Sequence, residues 1–267
     1  MKILEAKPFV KWAGGKQALA SQIVDSFPSE FSKYYEPFVG GGSVFLTCLP
    51  NVAILGDANE WLVSTYEAIR DDFARVAKLL DKLPNTKEDF LRIRELSRTE
   101  RNRWKLAAYF IYLNKTCFRG LYRVNQKNQF NVPYGAYDRR YYDLANLESV
   151  STALANATFC VSDFEVSVAN AESEDFIYFD PPYYKQGGYS DFNRYTPNQF
   201  KEGDHLRLAS LCQELEKRGV RWLVSNSDTP FVRQLYKGFQ FKQISSRRDI
   251  NLKSNRRSIN ELLISNY

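Results

Sequence analysis

The sequence of 267 residues contains a single histidine, His205, and few cysteines. One histidine cannot form a histidine cluster, and we interpret this residue as structural. The cysteines form no Cys-x-x-Cys pair, which argues against a zinc site and against a disulfide framework; they are Cys48, Cys117, Cys160 and Cys212. We therefore expect reduced thiols, no bound metal and a cytoplasmic location.

Long apolar segments are absent too. No stretch approaches the roughly 18 consecutive apolar residues that span a bilayer, and the N-terminal residues lack the apolar run of a signal peptide. Membrane-spanning and secreted proteins are therefore not expected. Hydrophobic residues make up 44% of the chain, enough to build a core. The formal net charge of +6 and the pI near 9.0 favour a polyanionic partner.

The order of apolar segments predicts an α/β fold. Short strand-like segments alternate with helical ones, and Leu208, Leu211, Cys212 and Leu215 share one helical face. This alternation predicts a mostly parallel sheet covered on both faces, with an antiparallel pair at the C-terminus. Strands are predicted at residues 34–38, 52–56, 158–161, 176–179, 221–224, 239–245 and 260–265, and helices at 16–27 and 60–83.

The middle of the chain differs from the rest. Residues 88–114 have a helical pattern, and residues 104–113 are apolar on nearly every side, which predicts a buried helix. Residues 116–142 are rich in arginine, lysine, tyrosine and asparagine and have little helical period. We therefore expect an inserted subdomain over residues 75–140 and a main domain formed by residues 1–74 and 141–267.

A glycine-rich motif, Glu-Pro-Phe-Val-Gly-Gly-Gly-Ser, follows the first predicted strand at residues 36–43. Glycines between a strand and a helix let the backbone approach a ligand closely, although Phe45 replaces the last glycine of the dinucleotide fingerprint. Asp57 ends the next strand, where nucleoside-binding α/β folds place an acid on the ribose. The alternative is a tight turn followed by a surface aspartate that caps a helix.

An acid, two prolines and a tyrosine follow an apolar predicted strand, in the motif Asp180-Pro181-Pro182-Tyr183. Open α/β sheets place their sites at such strand ends. Because proline donates no hydrogen bond, the Asp180 carboxylate and the Pro181 carbonyl are both available to accept from one amine. The Tyr183 ring is suited to stacking on a base. A proline-stiffened turn without function is the alternative.

A third motif, Phe-Val-Lys-Trp-Ala-Gly-Gly-Lys at residues 9–16, is by itself typical of a helix N-terminus. Together with the motifs above, Gly-Asp-Ala-Asn at 56–59 and Phe-Asn-Val-Pro-Tyr-Gly at 130–135, it closely resembles the Dam-type (alpha-class, DPPY) family of DNA adenine-N6 methyltransferases. The resemblance covers nearly the whole chain in the family's order. It implies a Rossmann-like methyltransferase sheet, mostly parallel with an antiparallel last strand, and a helical DNA-recognition insert.

The resemblance also implies a reaction. S-adenosyl-L-methionine would methylate N6 of a flipped adenine in a short site of double-stranded DNA, leaving S-adenosyl-L-homocysteine, without a metal. The implied catalytic residues are Asp180, Pro181, Pro182 and Tyr183. Implied cofactor contacts are Lys16 near the methionine carboxylate, Asp57 at the ribose, and Asp163 and Phe164 at the adenine, together with Trp12, Phe38, Val39, Gly40, Gly42, Ser43 and Asp180.

DNA contacts are implied on the insert and beside it. Family members that read GATC carry an aromatic residue followed by asparagine where this chain has Phe118 and Arg119, a departure that argues against GATC as the target. Near the C-terminus, five cations between residues 247 and 257 suit phosphate contacts or a mobile loop. The predicted DNA contacts are Lys11, Phe118, Arg119, Arg123, Pro133, Tyr137, Arg247, Arg248, Arg256 and Arg257.

Three other functions remain open on the sequence. Cytosine-N4 methyltransferases use the same acceptors but more often have serine before the two prolines, and protein glutamine methyltransferases usually have asparagine there. The third is a non-catalytic DNA-binding module, against which Asp180, Lys16 and Gly40 argue. We expect a monomer or a weak dimer associated with DNA in the nucleoid. The segment 185–200, with Tyr189, Phe192 and Tyr195, is predicted to close over the target base.

Overall fold

The computed structural model describes residues 5–184, 200–246 and 259–267. The strands are β1 Tyr34–Glu36, β2 Ala53–Asp57, β3 Ala157–Val161, β4 Phe176–Phe179, β5 Arg221–Ser227, β6 Gln240–Ser246 and β7 Ile259–Ser265. The helices are α1 Ala20–Val24, α2 Ser43–Cys48, α3 Glu60–Leu80, α4 Lys87–Leu96, α5 Arg103–Thr116, α6 Leu144–Ala153, α7 Phe164–Ser167, α8 Glu202–Lys217 and α9 Pro230–Leu235, and a 3-10 turn spans Phe118–Gly120.

The strands form one sheet in the order β3-β2-β1-β4-β5-β7-β6. β1 to β5 are parallel to one another, and β7 runs antiparallel between β5 and β6. In the register, Tyr35 pairs with Ile54 on one side and Ile177 on the other. This sheet confirms the predicted α/β fold with its antiparallel last pair. The strand order reverses between β1 and β4: the chain adds β2 on one side of β1, and it adds β4 and β5 on the other side. Such a reversal leaves a crevice at the carboxyl ends of β1 and β4.

The central strand β4 shows why the sheet is buried on both faces. All four of its residues are buried, as expected for a parallel strand with a continuous apolar run. Phe176 and Tyr178 belong to the core on one face, and Ile177 and Phe179 belong to the core on the other. Helix α8 packs Leu208, Cys212 and Leu215 into this second core, which confirms the predicted helical face.

The predicted insert shares a core with the sheet. Helix α3 continues across the expected boundary at residue 75, with one non-helical residue at Asp72. The single helical stretch predicted over 88–114 is two helices, because Asn102 starts a new one by accepting hydrogen bonds from the Trp104 and Lys105 amides. Residues of α4, α5 and the segment 122–132 pack in the same core as β1, β2 and β4. The division at 75 and 140 stays a prediction.

Helix α1 is shorter than the segment 16–27 predicted for it. The residues before it form separate turns, in which the Gly15 amide donates to the Trp12 carbonyl and the Leu19 amide donates to the Lys16 carbonyl. These turns direct the Lys16 side chain toward the sheet rather than along a helix surface. Among the helices of the described ranges, none is long and apolar enough to cross a membrane.

Candidate active site

Acidic side chains follow four neighbouring strands at one edge of the sheet. Glu36 and Asp57 are the last residues of β1 and β2, Asp163 comes shortly after β3, and Asp180 directly follows β4. These strands are parallel, so all four acids lie at the same edge. Glu36 and Asp180 flank the crevice between β1 and β4, where open α/β sheets bind their ligands.

Lys16 connects the N-terminal glycine motif to the acid after β4. Its Nζ lies 2.9 Å from Asp180 Oδ1 and donates to the Gly14 carbonyl oxygen at 2.7 Å. The same Nζ lies 4.4 Å from the centroid of the Tyr183 ring. The Lys16 side chain is only 5% exposed, and removal from water strengthens its attraction to Asp180. Three predicted site residues from two distant motifs therefore meet at one point.

The motif at residues 180–183 has one acid with a pKa of about 6 and one neutral phenol. Burial raises the pKa of the Asp180 carboxyl to about 6, against the lowering effect of Lys16. Burial also raises the pKa of Tyr183 well above its usual value, so its hydroxyl keeps the proton that it donates to Glu261 Oε2 at 2.8 Å. Pro181 is buried and Pro182 is exposed. Above about pH 6, Asp180 is therefore an anionic acceptor.

Glu36 is a second buried acid at the crevice. Its Oε2 accepts a hydrogen bond from the Tyr34 hydroxyl at 2.8 Å. Burial raises the pKa of Glu36 to about 8, and the Asp180 charge also contributes to the increase. Glu36 therefore carries a proton at neutral pH and leaves Asp180 as the charged partner of Lys16.

The glycines after β1 pack against rings of the protein itself. A Cβ atom on Gly40 would lie 2.6 Å from Trp12 Cδ1, and one on Gly42 would lie 2.8 Å from the Tyr66 hydroxyl. Both glycines have left-handed backbones, with φ of +46° and +69°. The sequence suggested approach to a ligand, whereas the close contacts seen at these two residues are with Trp12 and Tyr66. Trp12 is held in turn by stacking on Tyr122, at 5.2 Å between ring centroids.

Asp57 ties the glycine loop to β2. Its Oδ2 accepts from the Gly40 amide at 3.2 Å, and its Oδ1 accepts from the Asn59 amide at 2.9 Å. Burial raises the pKa of Asp57 to about 6, and these amides lower it in part. The Val39 amide donates to the Gly56 carbonyl at 2.9 Å beside it. The Asp57 carboxylate has about four acceptor sites, so it can still accept from a ligand hydroxyl in addition to these amides and that of Ala58.

Asp163 and Phe164 make contacts that the sequence did not indicate. Asp163 caps α7 by accepting from the Glu165 amide at 3.1 Å, and it pairs with Arg207 at 2.8 Å. Phe164 is buried and stacks on Phe38, with 5.6 Å between ring centroids. The two predicted cofactor rings are thus one aromatic pair, with the more exposed Asp163 beside them.

A cleft of about 390 Å³ opens between the N-terminal motif and the turn Phe118–Gly120. Ser43, a predicted cofactor contact at the start of α2, lies on its wall. Three cations also line it: Lys11, Lys115 and Arg119. Burial lowers the pKa of Lys115, and the charges of Lys11 and Arg139 lower it further. Like charges held this close favour an anionic ligand.

The turn exposes Phe118 and Arg119, two of the residues that were predicted to contact DNA. Phe118 is 46% exposed, so its ring is not part of the core. Arg119 has a left-handed backbone with φ of +58°, and its amide donates to the Tyr137 hydroxyl at 2.7 Å. The Arg119 guanidinium lies 5.2 Å from the Phe118 ring centroid, and Lys11 Nζ lies 5.8 Å from that of Tyr137. Four predicted DNA contacts therefore form one cluster.

Arg123 and Pro133 lie on the segment after the turn. The Pro133 carbonyl accepts from the Phe118 amide at 2.8 Å, which joins this exposed proline to the cluster. The Arg123 Nε donates to Asn131 Oδ1 at 2.8 Å, so part of its guanidinium is engaged within the segment.

Several predicted residues lie outside the described ranges: Arg247, Arg248, Arg256 and Arg257, and the loop residues Tyr189, Phe192 and Tyr195. His205 is described, and it is buried against Phe200 at 4.8 Å between ring centroids. Burial lowers the pKa of His205 to about 4, which fits its structural interpretation. Within the described ranges, no three or more His, Cys, Asp and Glu side chains are grouped to hold a metal ion.

Two residues at the site were not singled out by the sequence, Glu261 and Lys115. Glu261 is 78 positions away from Tyr183, and only the pairing of β7 with β5 brings the two together. Lys115 follows Asn114, whose buried amide binds both the amide and the carbonyl of Lys11. No local pattern signals either residue, because both depend on contacts between distant segments.

Comparison with known proteins agrees with these motifs. The family model described as D12 class N6 adenine-specific DNA methyltransferase matches residues 12–250. The chain is 40% identical to the Type II methyltransferase M.MjaIII of Methanocaldococcus jannaschii, over 99% of this chain and 100% of that protein. It is 36% identical to the Type II methyltransferase M1.LlaDCHI of Lactococcus lactis subsp. cremoris, over 99% of this chain and 96% of that protein. It is 33% identical to the DNA adenine methylase of Haemophilus influenzae, over 97% of this chain and 93% of that protein.

Proposed function

The chain belongs to the D12 class of N6 adenine-specific DNA methyltransferases, and we propose that the crevice between β1 and β4 is where it performs this reaction. The protein methylates adenine in DNA at the exocyclic N6 amine. This membership removes the cytosine, glutamine and non-catalytic alternatives. The observation that supports the site is the meeting of Lys16, Asp180 and Tyr183 at the point where the strand order reverses.

The residues at the crevice fit S-adenosylmethionine. This molecule combines an ammonium and a sulfonium cation with one carboxylate, a ribose diol and an adenine amine. The four acids at the edge offer hydrogen-bond acceptors for its ammonium, its diol and its amine. The buried Lys16 ammonium offers one cation for its carboxylate. When bound, S-adenosylmethionine supplies an electrophilic methyl group.

The cofactor roles are those that the family resemblance implies, and contacts in the structure support them. Lys16 would hold the methionine carboxylate, and Asp57 would accept from the ribose hydroxyls with its remaining lone pairs. Asp163 and the Phe38–Phe164 pair would hold the adenine end. The glycine loop after Phe38 is kept in shape by Trp12, Val39, Gly40 and Gly42, and Ser43 at the start of α2 would be a further cofactor contact.

Asp180 and Pro181 act on the amine of the target adenine. The N6 lone pair is delocalised into the ring, and hydrogen bonds from both N6 protons to the Asp180 carboxylate and the Pro181 carbonyl favour a tetrahedral nucleophilic nitrogen. As the new N–C bond forms, the S–CH3 bond of the sulfonium would break and leave a neutral thioether, while the nitrogen would become positively charged and have to lose one proton. The Asp180 carboxylate, which accepts one of the N6 hydrogen bonds, would take it. Tyr183 stacks on the adenine ring and fixes its plane.

A base inside a duplex cannot enter this crevice, so the target adenine leaves the stack at a cost of a few kcal/mol. The exposed Phe118 ring is suited to fill the space that the base leaves. Arg119 is proposed to contact bases, and Lys115 joins the phosphate contacts. Residues 75–140 would then form the recognition insert, with Lys11, Arg123, Pro133 and Tyr137 as further contacts.

The test uses two acids at opposite ends of β4. Asp180→Ala should abolish methyl transfer while DNA binding survives, because losing transition-state hydrogen bonds costs roughly a thousandfold or more in rate. Asp175→Asn is the matched control: Asp175 is buried before β4 and accepts from the Lys33 and Glu172 amides. It should lower stability without lowering turnover per folded molecule.

Tritium transfer from S-adenosylmethionine to duplex DNA measures the rate, and a binding titration measures the DNA affinity. An Asp180→Ala variant that keeps more than about a tenth of the wild-type rate would remove Asp180 from the catalytic site.

A further inference from the structure

A buried acid on the last strand faces the catalytic tyrosine. Glu261 lies on β7 and is 8% exposed. In the sheet register it pairs with Ser227 of β5 on one side and with Ile244 of β6 on the other. Its Oε2 accepts the Tyr183 hydroxyl proton at 2.8 Å. A buried carboxylate without a partner is costly, so this hydrogen bond satisfies Glu261 as well as Tyr183.

The Tyr183 hydroxyl has a second possible acceptor. It also interacts with the Asp180 carboxylate and lowers the pKa of that group, whereas the charge of Glu261 raises it. A tyrosine hydroxyl has one proton and can donate it to one carboxylate at a time. Glu261 and Asp180 therefore compete for the same hydrogen bond, and in the structure Glu261 receives it.

This competition matters because Asp180 already has one oxygen close to a cation. Lys16 Nζ lies 2.9 Å from Asp180 Oδ1. A hydrogen bond from Tyr183 would occupy more of the Asp180 acceptor capacity that the target amine needs. It would also withdraw charge from the carboxylate and turn the tyrosine ring about the end of β4.

We propose that Glu261 is a positioning residue that takes the Tyr183 hydroxyl proton, and so keeps Asp180 free for the N6 amine and the tyrosine ring in its stacking position. The inference rests on the proposed function of Asp180 and Tyr183. It gives the antiparallel last strand a role in the reaction besides closing the sheet. Glu261 acts through Tyr183 and is not proposed to touch the adenine.

The experiment is a double-mutant cycle with Glu261→Met and Tyr183→Phe. Methionine has a similar length but cannot accept the proton, so Glu261→Met alone should slow single-turnover methyl transfer by at least about tenfold. Phenylalanine has no hydroxyl to compete for Asp180. Adding Tyr183→Phe to Glu261→Met should therefore restore the rate to that of Tyr183→Phe alone. Glu261→Gln, which still accepts, should lie between Glu261→Met and the wild type.

The pH profile provides a readout that a merely structural role would not change. Glu261 raises the pKa of Asp180, and a hydrogen bond from Tyr183 lowers it, so the acid limb of the Glu261→Met profile should move to lower pH. Leu263→Val, a buried change on the same strand, is the control and should lower Tm without moving this limb.

The outcomes separate the two proposals. Equal losses from Glu261→Met in the wild-type and Tyr183→Phe backgrounds, with an unmoved acid limb, would overturn the positioning role and show a structural one. A wild-type rate in Glu261→Met would also overturn the positioning role. If Asp180→Ala is inactive in the same experiment, the proposed catalytic site still stands. If Asp180→Ala and Tyr183→Ala both keep their activity, the proposed site fails, and the role of Glu261 fails with it.

Discussion

The sheet edge proposed for catalysis and the turn proposed to contact DNA are built in opposite ways. At the edge, acids stand at the ends of buried strands, and the Lys16–Asp180 pair is 5% and 17% exposed. At the turn, Phe118 is 46% exposed, and Arg119 reaches out from a left-handed backbone. Catalysis needs acceptors fixed by rigid elements in a low dielectric, whereas recognition needs side chains that can change without disturbing a core.

This contrast predicts different consequences of substitution in the two regions. Changes at the edge should alter the rate or the cofactor affinity for every DNA sequence. Changes at the turn should alter which sequence is methylated. The following experiments can break or sharpen that distinction.

The largest effect is expected from Lys16→Met. Without the Lys16 ammonium, less Asp180 is in its charged form, and methyl transfer should slow by about a hundredfold; the loss of the buried ion pair should also lower the stability of the fold. Lys16 lowers the pKa of Asp180, so its removal should move the acid limb of the rate profile above the wild-type position near pH 6. Single-turnover rates measured across pH would show this. An acid limb that stays in place would mean that Lys16 does not hold Asp180 in its charged form.

Substitutions of Asp57 and Asp163 compare how much two acids at the same sheet edge contribute to cofactor affinity. Asp57→Ala should weaken S-adenosylmethionine binding by about 1.5–3 kcal/mol, the value of a hydrogen bond to a charged group. Asp163→Ala should weaken it less, because Asp163 is more exposed and already paired with Arg207. Isothermal titration calorimetry measures both. A larger loss from Asp163→Ala would reverse the assigned importance of the two acids.

Arg119→Asn tests the turn. Asparagine adopts a left-handed backbone more readily than arginine, so the turn should keep its shape and only the side chain should be lost. If Arg119 contacts a base, discrimination at one position should relax by about 1–3 kcal/mol. Methylation of a randomised duplex library would show a changed motif. Arg139→Asn serves as the control, and a uniformly lower yield with the same motif in both variants would assign Arg119 to phosphate.

The smallest effect concerns stability at the edge. The pKa of Glu36 is raised to about 8 in the folded protein. Protonated Glu36 therefore contributes its full free energy of stabilisation below the ordinary glutamate pKa, and this contribution is lost as pH rises through 8. Glu36→Gln cannot ionise and still accepts from Tyr34. Its Tm should therefore decline less than that of the wild type between pH 6 and 9, a range that brackets this pKa. Parallel Tm curves would show that Glu36 does not titrate there.

Much of the edge could be predicted because its motifs are local. The apolar run Phe176–Phe179 indicates a buried parallel strand, and the acid that follows it must lie at the sheet edge whatever the rest of the chain does. Asp57 follows from the same reasoning at the end of β2. The helical middle was harder, since the break at Asn102 depends on one side-chain cap within an otherwise helical pattern.

The amino-acid sequence by itself determined the strand–helix alternation, the acids at the strand ends, and the motifs that carry the family resemblance, because each depends on neighbouring residues. Tertiary structure alone decided that Gly40 and Gly42 after β1 pack on Trp12 and Tyr66. It also decided that Glu261 takes the Tyr183 proton. These contacts join segments far apart in the chain, and strand order and packing, which no local pattern encodes, determine which distant side chains meet.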